Sequence, residues 1–337
     1  MLLHTGPARR RALQICAVGG ATLGAMFAFG ADSALAAYTA HVQGGTLQIT
    51  GNGASDKLAL RLAPGQPNIL QVDVGEDGTP DFSFDRTAFT AINVQGGGGN
   101  DDIRVDQSQG AFADETVTID GGAGDDTLVG GDGADVLIGG SGDDQVNGGR
   151  GSDVARLGSG RDTFTWNPGD GSDVVDGEGG RDALQFNGSN AGEQMSVSAN
   201  GSRVRFTRDV ANIVMDLGGI EDLNVAALGG ADTLTVNDLT GTALTRANID
   251  LSATGGGGDA QADTVIANGT GQADHVRVGT AGNDVQVSGL AAQLQIAGSE
   301  PANDRLQINT LGGKDAVTVA PEVSQLILPA VDLGAGQ

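Results

Sequence analysis

The sequence has little of what most catalytic or metal centres are made from: one Cys, three His, one Trp and one Tyr in 337 residues. Without cysteine pairs there is no disulfide framework. With so few imidazoles and thiolates, a zinc or iron centre of nitrogen and sulfur ligands has almost nothing to draw on. Aromatics at 3% exclude the ordinary packed core of an enzyme of this length. Bases are scarce too: 18 Lys and Arg face 43 Asp and Glu, a net charge of −25 at pH 7. That balance speaks against nucleic acid and anionic membrane as partners and in favour of cations. Glycine is abundant instead, at 58 residues, more than twice its usual share of ~7%. Ala, Val, Leu and Ile can fill thin layers, so the chain is not simply disordered. Carboxylate and carbonyl oxygens are plentiful, and these hard donors suit Ca²⁺.

Residues 1–36 read as a signal peptide. Arg9, Arg10 and Arg11 precede an apolar stretch over 12–30, and Ala34-Leu35-Ala36 offers the small residues of a cleavage site. The expected location is therefore secreted or at the cell surface, with no membrane span after cleavage. The remaining chain has 15 bases against 42 acids and no cysteine, so an exported protein must find its staple elsewhere.

From Gly121 the chain reads GGAGDDTLV, GGDGADVLI, GGSGDDQVN, GGRGSDVAR and LGSGRDTFT, and the first four units match G-G-x-G-x-D-x-U-x in full. Asp126, Asp135, Asp144, Asp153 and Asp162 fall nine apart, and Leu128, Leu137, Val146, Ala155 and Phe164 follow two residues behind. An outlying copy begins at Gly96 with Asp101, and Asp173 and Asp182 continue the run after an eleven-residue step. Beyond it, segments starting at Asp182, Asp222, Asp263 and Asp304 align at spacings of 40, 41 and 41 residues. No stretch after residue 37 shows sustained helical periodicity. The expected fold is all-β, a parallel β-roll or β-solenoid. Its expected parts are an N-terminal flank over 37–95, the nonapeptide block over 96–186 and a C-terminal solenoid of longer repeats over 187–337.

Glycines at positions one, two and four permit turns closed to residues with a Cβ and turn carbonyls inward, and the Asp at position six adds a carboxylate. Two units make a coil of eighteen residues, so Asp126 should lie in one stack with Asp144 and Asp162, and Asp135 over Asp153. Stacked coils are ~4.8 Å apart, so superposed carboxylates repel by roughly 1–3 kcal/mol per pair. One interior side chain contributes ~1.5–3 kcal/mol against ~1–2 kcal/mol of entropy for each residue ordered. The block should not fold alone, and a divalent cation between turns would convert binding into folding free energy.

The units from Gly121 to Thr165 resemble the RTX, or haemolysin-type, calcium-binding nonapeptide-repeat family. The resemblance implies Ca²⁺ in both rows of turns, held by Asp126, Asp135, Asp144, Asp153 and Asp162 with carbonyls from Gly124, Gly133, Gly142 and Gly151. Asp101, Asp173 and Asp182 complete that set, with neighbours out of nine-residue step. Leu157 replaces the first Gly of the fifth unit. Type I export by an uncleaved C-terminal signal is common in the family, whereas this chain carries an N-terminal leader.

The flank aspartates, Asp232 among them, read as turn formers. A separate stretch, Asp73 to Asp81, has carboxylates at EF-hand-like positions but Phe84 where the closing Glu belongs. No H-E-x-x-H, G-x-S-x-G or phosphate loop occurs, and no catalytic residue is assigned. The expected function is an exported calcium-binding protein that folds on Ca²⁺ and acts in structure or interaction, with an extracellular protein or polysaccharide as a possible partner. A lyase or epimerase on a parallel β-helix is the alternative, for which Arg203, Arg205 and Arg208 form the only dense basic group after residue 36. An adhesin or ice-binding solenoid would need a Thr ladder, and Thr127 is followed at equivalent positions by Val136, Gln145 and Val154.

Overall fold

The nonapeptide units build two stacks of short strands, as their period requires. Thr127–Val129 pairs in parallel with Gln145–Asn147, Leu128 opposite Val146, and Gln145–Asn147 pairs with Thr163–Trp166, Val146 opposite Phe164. On the other side Val136–Ser141 lies between Thr116–Ala123 and Val154–Gly160, with Ile119, Leu137 and Ala155 in register. Each unit therefore stacks on the unit eighteen residues later. The middle residue of every strand points inward: Leu128, Leu137, Val146, Ala155 and Phe164 are all buried. Leu157 is buried too, so the side chain at this glycine position extends the core.

The computed structural model describes residues 38–334; the leader expected over residues 1–36 lies outside them. The two stacks grow into two fourteen-stranded sheets facing each other across one apolar core. Among the described residues the only helical segments are three short 3₁₀ turns, and no helix is long and apolar enough to cross a membrane. Trp166, Phe186 and Phe206 form an aromatic column inside, with ring centroids 4.2 and 4.4 Å apart.

Among the described residues the solenoid departs from a purely parallel coil at an N-terminal hairpin, Thr39–Gln43 with Thr46–Thr50, and at three antiparallel meanders. One meander forms the N-terminal edge of its sheet, Lys57–Ala63, Gln66–Val74 and Phe82–Asp85. The others interrupt the C-terminal half: Gln194–Asn200, Arg203–Arg208 and Ile213–Gly218 in one sheet, His275–Ala281, Asp284–Ser288 and Gln293–Ala297 in the other. Each opens on a two-residue loop with a left-handed glycine, Gly65, Gly201 or Gly282, the conformation tight hairpins demand.

These insertions correct the long repeat. Asp182, Asp222, Asp263 and Asp304 do not form one stack. Asp222 pairs with Ala183 within the sheet, and Glu221 takes the turn position instead, accepting the N–H of Asp182 at 2.8 Å. Asp263 and Asp304 belong to another row, with Glu193 and Asp232, because the step from Asp222 to Asp263 contains no meander and covers one and a half coils, through Thr233–Val236 and Arg246–Ala253, ending on the other sheet.

Candidate metal centre

Each turn ends on its sixth residue, whose carboxylate reaches to the coil before it. The backbone N–H of Asp126 donates to Oδ1 of Asp144 at 2.8 Å, that of Asp144 to Asp162 at 2.8 Å, and that of Asp162 to Asp182 at 3.0 Å. The same row runs back through Asp101, whose N–H bonds Asp126 at 2.7 Å, to Asp56, whose N–H bonds Asp101 at 2.9 Å. In the row that leads into the other sheet, Asp135 donates to Asp153 at 2.8 Å and Asp153 to Asp173 at 2.9 Å. Asp126, Asp135, Asp144, Asp153 and Asp162 thus lie in the two rows that their spacing requires. Asp101, Asp173 and Asp182 join them despite out-of-step neighbours, since the extra residues loop outward and leave the pairing register intact.

All eight side chains are at most 2% exposed. In each, one carboxylate oxygen is buried with no hydrogen-bond partner: Oδ1 of Asp135 and Oδ2 of the other seven. Such an oxygen is expensive to leave unmet. Its cost is visible in the acidity of the groups. Burial pushes the Asp144 carboxyl up to about 7, against the lowering effect of the Asp126 N–H and helped by the charges of Asp126 and Asp162. Burial likewise lifts Asp153 to about 8 and Asp173 and Asp182 to about 7. Asp101 rises to about 6, and Asp126, Asp135 and Asp162 are raised for the same first reason.

The turn carbonyls complete the donor set. The Gly124 oxygen faces Gly142 of the next coil so closely that a Cβ there would collide with it, and Gly142 faces Gly160 in the same way. Gly133 faces Gly151, and Gly151 faces Gly171. Four carbonyls thus point along the stacking axis into the gaps between turns. Among the described residues no three His, Cys, Asp or Glu side chains converge in a metal-binding group, so a cation here would draw on carboxylates from successive turns together with backbone oxygens. Hard oxygen donors in a flexible turn fit Ca²⁺.

Other candidates fare differently. Asp73 is buried, but Arg61 sits 2.7 Å from its Oδ2 and the Gly78 N–H bonds the same oxygen at 3.0 Å, so a guanidinium already meets that charge. The three clustered arginines separate. Arg205 is exposed, Arg203 bridges Asp176 and Asp216, and Arg208 is buried against Glu193 and stacked over Trp166 at 5.2 Å. Arg205 is solvated and Arg208 is not, because Arg208 lies on the inward side of its strand. Trp166 is fully buried and offers no sugar platform. His275 is exposed.

None of the curated proteins compared matches the chain. Residues 120–155 and 130–164 match the RTX calcium-binding nonapeptide repeat, in four copies. These residues contain Asp126, Asp135, Asp144, Asp153 and Asp162 of the buried rows, and the segment from 120 to 164 is therefore a run of RTX calcium-binding repeats folded as a β-roll.

Proposed function

We propose that this is an exported calcium-binding protein whose nonapeptide block, residues 96–186, completes its folding on Ca²⁺. It would then serve as a structural or interaction module at or outside the cell surface. The observation that carries the reading is the row of buried, unpartnered carboxylate oxygens. The ligands would be Asp126, Asp135, Asp144, Asp153 and Asp162, extended by Asp101, Asp173 and Asp182, with carbonyls of Gly124, Gly133, Gly142 and Gly151. A bound cation supplies positive charge to oxygens that the chain itself leaves unmet. The chain's own part is to hold the carboxylates in register through their N–H bonds and to keep water out with the rows of Leu, Val and Phe beneath. The leader and the negative charge support export and action outside the cell, where an extracellular protein or polysaccharide would be the partner. No catalytic role is assigned: the arginines are dispersed, and the one Trp is in the core.

Circular dichroism of residues 37–337 during a calcium titration tests this. The chain is expected to be partly disordered in chelator and to gain β structure with an apparent affinity of about 10⁻⁴–10⁻³ M, as in extracellular modules. Mg²⁺ at equal concentration should be much less effective. Identical spectra in chelator and in calcium would overturn the reading.

A further inference from the structure

A third row of carboxylates lies outside the residues that match the repeat. The N–H of Glu193 bonds Asp232 at 2.7 Å, that of Asp232 bonds Asp263 at 2.8 Å, and that of Asp263 bonds Asp304 at 3.1 Å. Asp232 is 3% exposed, and its Oδ2 is buried without a partner, as in the nonapeptide rows. The turn before it, Ala227-Leu228-Gly229-Gly230-Ala231, lacks the first two glycines of the motif. It nevertheless keeps the left-handed positions, with Leu228 at φ +72° and Gly230 at φ +113°, where Gly140 and Gly142 have +112° and +125°.

Charge separates two steps of this row. At Glu193 the chain supplies its own cation: Arg208 Nε lies 2.7 Å from Oε1, and its guanidinium also reaches Ser189 Oγ at 3.1 Å. At the next step there is no such group. The charges that press on Asp232 are Asp263, Glu193 and Asp259; those on Asp263 are Asp304, Asp259 and Glu300. Asp259 and Glu300 tie the turns together, accepting the N–H of Gly230 and of Ala260, each at 2.8 Å. The Arg208 guanidinium is thus spent on Glu193, and the charges that press on buried Asp232 and Asp263 are all acidic.

We propose that the step between Asp232 and Asp263 binds one divalent cation of the calcium type, a site outside the nonapeptide block and independent of its motif. The donors are carboxylate and backbone oxygens, with no thiolate or imidazole among them, which selects a hard ion. The inference rests on the reading that stacked aspartate turns take up calcium, and its test separates the two.

Ions bound per chain are counted by equilibrium dialysis with radioactive calcium on residues 37–337, for the wild type and for Asp232→Asn, Asp263→Asn and Asp144→Asn. Asparagine keeps the oxygen that accepts the backbone N–H and removes the charge. Asp232→Asn and Asp263→Asn are each expected to lose one ion, and the double variant the same single ion, while circular dichroism in saturating calcium reports an intact fold. Should either variant fail to fold, Asp259→Asn, at the half-buried rim, is expected to weaken one ion several-fold; an unchanged isotherm for it counts against the site. A wild-type count in Asp232→Asn and Asp263→Asn, with ions lost in Asp144→Asn, would overturn the site, showing protonated carboxyls only, and leave the block's reading standing. No loss in any of the variants would overturn both.

Discussion

Asp144 accepts the backbone N–H of Asp126 on one carboxylate oxygen at 2.8 Å, and its other oxygen is buried without a partner. Its own N–H goes to Asp162 in the next coil, so it takes part in two gaps between turns. Asp232 takes part in one acidic gap, since its other neighbour, Glu193, is held by Arg208. Asp144→Ala is therefore expected to move the calcium midpoint of folding by on the order of tenfold, about 1.4 kcal/mol, and Asp232→Ala by clearly less. Parallel calcium titrations by circular dichroism check this, and equal shifts would remove the distinction between the two gaps.

The nine-residue period made the stacked rows legible in the sequence, because each unit carries its own turn glycines and its own inward residue. Leu128 over Val146 over Phe164 follows from spacing alone. The meanders were not legible in the same way: a strand such as Arg203–Arg208 alternates alike whether it pairs with the next coil or with its neighbour in a hairpin. The signal that could have found them was Asn200-Gly201 between two alternating runs. Asp222 aligns with Asp182 in the sequence, but it pairs with Ala183 and Glu221 occupies the turn position. The depth of Asp232 was hidden for a different reason, because Leu228 takes a conformation for which the pattern shows glycine.

Acid should stand in for calcium. Asp144, Asp173 and Asp182 are lifted to about 7 and Asp153 to about 8, first by burial, whereas an unfolded Asp titrates near ~3.9. A folded pKa raised above the unfolded one contributes stability that is full below the unfolded value and is lost as pH rises through the folded one. In chelator the melting temperature is thus expected to fall between about pH 5 and pH 8. In saturating calcium it should change little over that window, and binding near pH 7 should release protons. Thermal melts with a pH-stat titration read both, and a chelator melting curve that climbs toward pH 8 would contradict the assignment.

Two glycines that both have positive φ should respond very differently to a methyl group. Gly142 has φ +125°, and a Cβ there would collide with the Gly124 carbonyl of the adjacent coil; Gly257 has φ +85° and open space around it. Gly257→Ala should cost only the left-handed strain, about 1 kcal/mol. Gly142→Ala adds forced separation of two coils at a carbonyl aimed into the gap, and is expected to cost about 3 kcal/mol or more. Melting temperatures of the two variants in saturating calcium make the comparison; near-equal losses would mean that the coils are not in close contact there.

Arg208 and Glu193 show how a flank can meet a buried carboxylate without a metal ion. Both side chains are almost fully buried, and the guanidinium also covers Trp166 and donates to the Val210 carbonyl at 3.2 Å. Removing one partner leaves the other charge stranded in the core, so Arg208→Met is expected to cost about 3–5 kcal/mol. Replacing both, Arg208→Met with Glu193→Gln, removes the stranded charge and should recover a large part of that loss. The cost of the single variant should appear in chelator as well as in calcium, because this charge is met within the chain. Thermal unfolding of the single and double variants under both conditions tests the pair. A single variant as stable as the wild type in chelator would show that Arg208 only packs and does not meet the Glu193 charge.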